Sequence, residues 1–233
     1  MSIGTGEVHV WLASTEAPGA ELDALLRCLS EEELGRARRY RLDADRRRSL
    51  VSRAVMRHLV GCYLGTSPES VALIRDRNGK PALADGSLQL NASHSGGWVA
   101  ISLAVGSPLG VDIEQVRPLA DVGAMAERFF SPDEAARVLA APRAEPAFFA
   151  VWTAKEAVVK AVGTGLGVTL SSFTVPPQTE AFTPITYDGG SAEDLHGWCV
   201  RAIEAPAGYC AAVAVRGTGW SLEVQRFTWG ALR

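Results

Sequence analysis

The stretch GVDIEQV, Gly110 to Val116, alternates apolar and polar side chains with the period of two of a β-strand, which places Asp112 and Glu114 on one face. Side by side, two carboxylates repel, and both residue types are poor strand formers. A merely solvated face is served as well by Thr or Lys. The pair therefore asks for a positive partner.

Working outward, Val99, Ile101, Leu103 and Val105 alternate with Ala100, Ser102 and Ala104, and Gly106-Ser107-Pro108 then turns the chain into the acidic strand. The spacing predicts a hairpin whose second strand carries the two acids. Upstream, NASHSGGW (91–98) has the composition of a polar turn, in which Ser93, His94 and Ser95 can donate to an anion and Gly96-Gly97 leaves the backbone room. Lys80 sits in the turn NGKPAL, where Pro81 forces extension.

The start, EVHVWLA, has strand alternation, and ELDALLRCL has helical spacing. Ser30 with Glu33 three residues on makes a capping box for a helix running through Arg36 to Tyr40. A further helix is expected from about Ala44 to Leu64, ended by Gly65. Beyond the acids, Ala120 to Phe130 has a helical pattern. Ser131-Pro132-Asp133-Glu134 opens another helix, and Pro146 a third, AFFAVWTAKEAVVKAVG, stopped by Gly163 with Gly165 and Gly167 behind it. Strand-like SSFTV, HGWCVRAIEA, GYCAAVAVR and SLEVQRFTW follow. Helices and antiparallel strands segregate, so the fold class is α+β, with strands plus helices in each half.

With 233 residues and 47% hydrophobic side chains the chain can bury one large core or two small ones. No apolar run reaches the roughly 18 residues of a membrane span, and MSIGTGEVHVWLAS lacks the basic region of a signal peptide, so a cytoplasmic protein is expected. Cys28, Cys62, Cys199 and Cys210 are far apart, which predicts reduced thiols rather than a disulfide or zinc framework. A net charge of −3 argues against nucleic-acid binding, although nine arginines lie between Arg36 and Arg57. They form either a solvated helical face or, in part, a grip on an anionic ligand. The 23 cations include only three lysines, Lys80, Lys155 and Lys160. A compact ammonium differs from a planar guanidinium in hydration, geometry and pKa, so each lysine is a position to watch.

On the helix from Pro146, Thr153, Glu156 and Lys160 share one stripe and Val151, Val158 and Val162 another. By itself Glu156 makes an exposed i, i+4 pair with Lys160, worth a few tenths of a kcal/mol. With Asp112 and Glu114 it makes an oxygen-only set. Residues two apart on a strand are roughly 6.6 Å apart in rise, so both acids can lean onto one cation while a facing helix supplies the third. Hard ligands without His or Cys select Mg²⁺ or Mn²⁺, and Mg²⁺ commonly binds together with phosphate oxygens of a substrate.

Taken in order, NGKPAL, NASHSGGWVAI, GVDIEQVRP, RFFSPDEA and FFAVWTAKEAVVKAVGTGL resemble the motifs of the Sfp-type 4'-phosphopantetheinyl transferases, from about Ser30 to Gly167. The resemblance implies two similar α/β halves in a pseudo-twofold arrangement with the active site between them. Residues 1–108 would supply the coenzyme A nucleotide contacts, and 109–233 the metal-binding acids and the catalytic helix. It implies an enzyme of the holo-[acyl-carrier-protein] synthase type, which moves the 4'-phosphopantetheine of coenzyme A onto a serine of acyl or peptidyl carrier proteins and releases adenosine 3',5'-bisphosphate. By position, Asp112, Glu114 and Glu156 match the ligands of Mg²⁺, with Mn²⁺ an alternative. Glu156 and Lys160 match the catalytic pair, and Arg36, Arg48, Lys80, Ser93, His94, Lys155 and Lys160 the coenzyme A contacts. Relatives often carry a second basic residue just before the Arg36 position; here Glu33 stands there, which shifts the 3'-phosphate grip to Arg36, Arg48 and His94, or to Arg53. The two-half layout implies a monomer. Glu134 matches a further family acid, and equally a helix N-terminal acid with no catalytic duty. The alternatives are a coenzyme A or nucleotide-binding module without transferase activity and a Mg²⁺-dependent phosphohydrolase.

Overall fold

The two halves of the chain repeat one plan in the computed structural model, which describes residues 1–16, 19–76, 78–163, 168–177, 180–187 and 195–229. First come β1 (Glu7–Ser14), helices α1 (Gly19–Leu26), α2 (Glu31–Ala37) and α3 (Asp43–Leu64), the short pair β2 (Leu73–Arg75) and β3 (Pro81–Leu83), and the hairpin β4 (Gln89–Ser95) and β5 (Trp98–Ala104). Then come β6 (Leu109–Gln115), helices α4 (Val122–Phe129), α5 (Pro132–Ala140) and α6 (Ala144–Val162), and short strands β7 (Phe173–Thr174), β8 (Thr183–Pro184) and β9 (Thr186–Tyr187). The hairpin β10 (Trp198–Ala202) and β11 (Tyr209–Arg216) and a last strand, β12 (Ser221–Arg226), complete the order. In each half the second strand of the hairpin lies in the middle: β1-β5-β4 in one sheet, β6-β11-β10 in the other, all antiparallel. β8 extends the second sheet beside β10, and β12 returns to the first, parallel to β1.

The sheets stack face to face, with Val8, Val10, Leu12, Ala100 and Ala104 against Leu109, Val111, Ile113, Val213 and Val215. Helix α3 covers the far face of the first sheet through Val51, Val55, Leu59 and their neighbours, and α6 the far face of the second through Ala154, Ala157, Val158 and Ala161. Four layers result, helix, sheet, sheet, helix, and every residue of β5 after Trp98 is buried. Full burial of each Val, Leu or Ile contributes about 1.5–3 kcal/mol, so the double sheet interface is the main cohesive element.

Local chemistry sets the ends. Ser30 and Ser131 cap α2 and α5 in complete capping boxes with Glu33 and Glu134, while α3 and α6 stop at Gly65 and Gly163 in the left-handed conformation. Helices α1 and α2 end at Leu26 and Ala37, earlier than the periodicity suggested, because Leu29, Arg39 and Tyr40 turn with i to i−3 hydrogen bonds instead. Gly165 and Gly167 lie outside the described residues. The four cysteines are free, and among the described residues no helix is long and apolar enough to cross a membrane.

Two expectations are corrected. The turn at Gly106-Ser107-Pro108 does not fold β6 back onto β5; it carries the chain into the other sheet, where β6 pairs with β11. The small side chains of β5, Ala100, Ser102 and Ala104, are buried, Ala100 and Ala104 against the second sheet. The NASHS segment is strand β4, hydrogen-bonded to β5, and the turn is confined to Gly96-Gly97.

Helix α6 lies so close over β6 that a Cβ on Gly110 would stand 2.1 Å from the Ala157 carbonyl oxygen and 2.4 Å from the Ala161 nitrogen. Only glycine permits this approach, and the obstacles are backbone atoms that cannot swing aside. Gly110→Ala is expected to cost about 3 kcal/mol through overpacking, lowering Tm by roughly 6–12 °C. Calorimetry on the purified variant checks it; an unchanged Tm would refute the close contact.

Candidate functional site

One edge of β6 is paired with β11; the other faces β4, whose side chains replace a backbone ladder. The Val111 N–H donates to Asn91 Oδ1 at 3.0 Å and the Gln115 N–H to Ser95 Oγ at 3.1 Å. Period two on both strands then sets Ser93 against Asp112 and Ser95 against Glu114, each hydroxyl donating to a carboxylate at 2.6 Å. The two acids face α6, on the same side of β6 as Gly110.

From the last turn of α6, Lys160 supplies the positive partner the acidic strand asks for. Its ammonium donates to Asp112 Oδ1 at 2.6 Å and to Ser93 Oγ at 2.9 Å. Asp112 is 2% exposed, and its other oxygen, Oδ2, is buried without a hydrogen-bond partner. An orphaned carboxylate oxygen in that position is an acceptor waiting for a cation or donor. Burial raises the pKa of Glu114, with Ser95 opposing and Asp112 adding. Burial likewise raises Glu156, one turn before Lys160, with Asp112 and Glu114 adding and Lys160 opposing. The three acids thus share one electrostatic field. Among the described residues, however, no three His, Cys, Asp or Glu side chains converge tightly enough to hold a metal ion. Lys160 stands among the acids instead.

Beside this cluster opens a cavity of about 730 Å³ whose walls include Lys80, Glu156, Lys160, Phe129, Trp152 and Leu170. Phe129 meets Trp152 edge to face, and the Arg128 guanidinium lies 5.0 Å from the Phe129 ring centre. Phe130, by contrast, is core. Lys80 bridges the halves: its ammonium donates to the carbonyls of Leu109 (2.8 Å) and Lys160 (3.1 Å). Burial pulls its pKa down to about 8, with Asp76 opposing. Asn78, in the same turn, donates to the Gly163 carbonyl.

The other expected contacts are distributed unevenly. Arg48 holds the Gly96 carbonyl at 3.2 Å and pairs with Asp45, close to His94, whose pKa is lowered by desolvation first and by Arg48 and Lys160, with its backbone hydrogen bond and Asp45 opposing. Arg36 is apart from them, on the surface of α2 with Glu32 at 2.7 Å. Glu33 is neutralised by Arg57, which donates to both its oxygens at 2.9 and 3.2 Å, with Arg53 at 3.5 Å. The structure does not bring Lys155 to the cavity. It is wholly buried against Glu134, because the residue next to Glu156 on a helix points about 100° away from it. Sequence reasoning missed the roles of Asn91 and Asn78, and it read Ser95 as a donor to a bound anion rather than to Glu114. The signal for Ser95 was there, since Ser93 and Ser95 repeat the spacing of Asp112 and Glu114.

Residues 108–214 match the family model described as the 4'-phosphopantetheinyl transferase superfamily, and residues 13–105 one described as 4'-phosphopantetheinyl transferase, N-terminal. The chain is 32% identical over 226 residues to the 4'-phosphopantetheinyl transferase HetI of Nostoc sp., covering 94% of this chain and 92% of that protein. It is 38% identical over 157 residues to the 4'-phosphopantetheinyl transferase psf-1 of Bacillus pumilus, covering 66% of each, and 28% identical over 197 residues to Sfp of Bacillus subtilis, covering 83% and 84%.

An acid whose pKa is raised by folding binds more protons folded than unfolded, so its contribution to stability falls as pH rises through that range. Ionised Glu156 is therefore a cost to the metal-free protein. Glu156→Gln is expected to raise Tm in a chelating buffer by roughly 1–3 °C at pH 8, the gain disappearing near pH 4. A variant less stable than the parent at pH 8 would refute the shared field.

Proposed function

The chain belongs to the 4'-phosphopantetheinyl transferase superfamily, a family of enzymes, and we propose that it transfers the phosphopantetheine arm of coenzyme A to a serine of acyl or peptidyl carrier domains. The observation that carries the reading is the cluster of Asp112, Glu114, Glu156 and Lys160 beside a large cavity bounded by both halves of the chain.

In this reading the serine oxygen attacks the β-phosphorus of coenzyme A, its proton passes to Glu156, and the bond to the bridging oxygen breaks to release adenosine 3',5'-bisphosphate. In the metal-free protein burial, then Asp112 and Glu114, hold Glu156 above the usual carboxylate range, and its carboxylate borders the cavity, which supports it in that role. Lys160, already directed by Asp112 and Ser93, is assigned to the oxygens of the transferring phosphoryl group, where a fixed cation stabilises developing charge without reorganising. Lys80, Ser93, His94 and Arg48, all from the first half, would hold the nucleotide, with Arg36 apart on the surface of α2.

The donor set suits a hard divalent ion: oxygen ligands only, an unpartnered Asp112 Oδ2, and two further acids whose pKa values are raised by burial first and by the neighbouring carboxylates as well. Asp112, Glu114 and Glu156 would hold Mg²⁺, or Mn²⁺, which supplies charge neutralisation at the diphosphate when bound. Both walls of the cavity come from one chain, which is compatible with a monomer.

Incubated with coenzyme A, Mg²⁺ and a panel of apo carrier domains, the protein is expected to add about 340 Da to a carrier serine, and a chelator to stop it. Asp112→Ala and Glu156→Gln should lower turnover by roughly 10²–10⁴ without unfolding the chain. Coenzyme A binding with no mass gain on any carrier would favour a binding module instead.

A further inference from the structure

Thr169, Leu170 and Ser171 wall the cavity, and they belong to a segment with little regular structure, a single turn at Leu170–Ser172 followed by the two-residue β7. Its backbone ladder is confined to Phe173 and Thr174, which pair with Tyr187 and Thr186 of β9. What else holds it lies behind. The Lys155 ammonium donates to the Leu170 carbonyl at 2.8 Å and to the Phe173 carbonyl, and it pairs with Glu134 Oε2 at 2.7 Å. Glu134 in turn accepts the Val175 N–H on Oε1 at 2.6 Å and the Ser131 N–H on Oε2 at 2.8 Å. Both side chains are 0% exposed, with the ammonium 4.3 Å from the centre of the Phe173 ring.

We propose that the buried Glu134–Lys155 pair is a positioning device for the 170–175 wall of the cavity, influencing transfer while touching neither coenzyme A nor carrier. For its kinetic part the inference rests on the transferase reading above. Buried ion pairs commonly contribute no more stability than apolar side chains of the same volume, and this one lies against the rings of Phe130 and Phe173, where an apolar pair would pack. An apolar pair has no donors for the carbonyls of Leu170 and Phe173 and no acceptor for the Val175 amide. Backbone placement is what the charges add. The geometry also couples the two jobs of α6, because Glu156 faces the cavity while its neighbour Lys155 ties the wall from the rear.

The test compares Lys155→Met, which fills the space without donating, with Lys155→Gln, which donates but carries no charge. Amide exchange by mass spectrometry and steady-state kinetics for coenzyme A are measured on the full-length protein well below Tm. Lys155→Met is expected to speed exchange across residues 170–175 by about tenfold, with other segments unchanged. It should also lower kcat/KM for coenzyme A by roughly 10- to 100-fold. Lys155→Gln should recover part of both. A lower Tm with unchanged exchange at 170–175 and unchanged kcat/KM, or a Lys155→Gln variant no better than Lys155→Met, overturns the proposal. If Lys155→Met does not fold, the double variant Glu134→Gln/Lys155→Met, which leaves no unpaired buried carboxylate, takes its place. Should the parent transfer nothing to any carrier, the transferase reading fails while the exchange measurement still decides the tether.

Discussion

The bond from the Lys160 ammonium to Asp112 and Ser93 is the constraint on which the site depends, because it joins a helix of the second half, a strand of the second half and a strand of the first. Placed beside Glu114 and Glu156, Asp112 would be an uncompensated charge in a buried position without that ammonium. The compensation is partial. One oxygen of Asp112 is unpartnered, and three carboxylates share the single Lys160 ammonium, while burial and then the neighbouring acids hold both glutamates above their usual pKa. That imbalance is the physical content of calling it a site, since a structural ion-pair network would satisfy its members.

Close approach makes this geometry attainable. Gly110 lets α6 come down onto β6, and Ala100, Ser102 and Ala104 let the two sheets stack tightly enough for β4 side chains to reach the amides of β6. Had β4 and β6 paired as neighbouring strands, backbone groups would have occupied the space in which Ser93 and Ser95 meet the two carboxylates. The sheets are joined by side chains at this seam, and polar chemistry is located there. Elsewhere the contact between them is mainly apolar, with Tyr209 accepting the Gly97 N–H at 2.9 Å.

Much of the candidate site was legible in the residues. Asp112 and Glu114 share a face because strands have a period of two, and Glu156 and Lys160 share one because helices have a period of 3.6; both facts are local. Helix starts at Ser30 and Ser131 and stops at Gly65 and Gly163 were equally readable, since capping is satisfied within a few residues. Less legible was anything requiring knowledge of the far neighbour. The stretch around His94 had turn composition, yet it is a strand because β5 offers it a ladder. Lys155 shared a motif with Glu156, yet a helix sends adjacent side chains in different directions, and only the packing of α5 against α6 shows that one of them ends beside Glu134.

From sequence alone came the class of fold, the family likeness, the acidic pair and the helix carrying its third member, all consequences of periodicity and short-range spacing. Tertiary structure alone decided that β6 leaves β5 for another sheet, that β12 returns to lie beside β1, that Lys80 bridges the halves through two carbonyls, and that Lys155 faces away from the cavity. These depend on which distant surfaces bury each other. Such choices are made by the summed burial of many side chains, and no single stretch of the chain contains that sum.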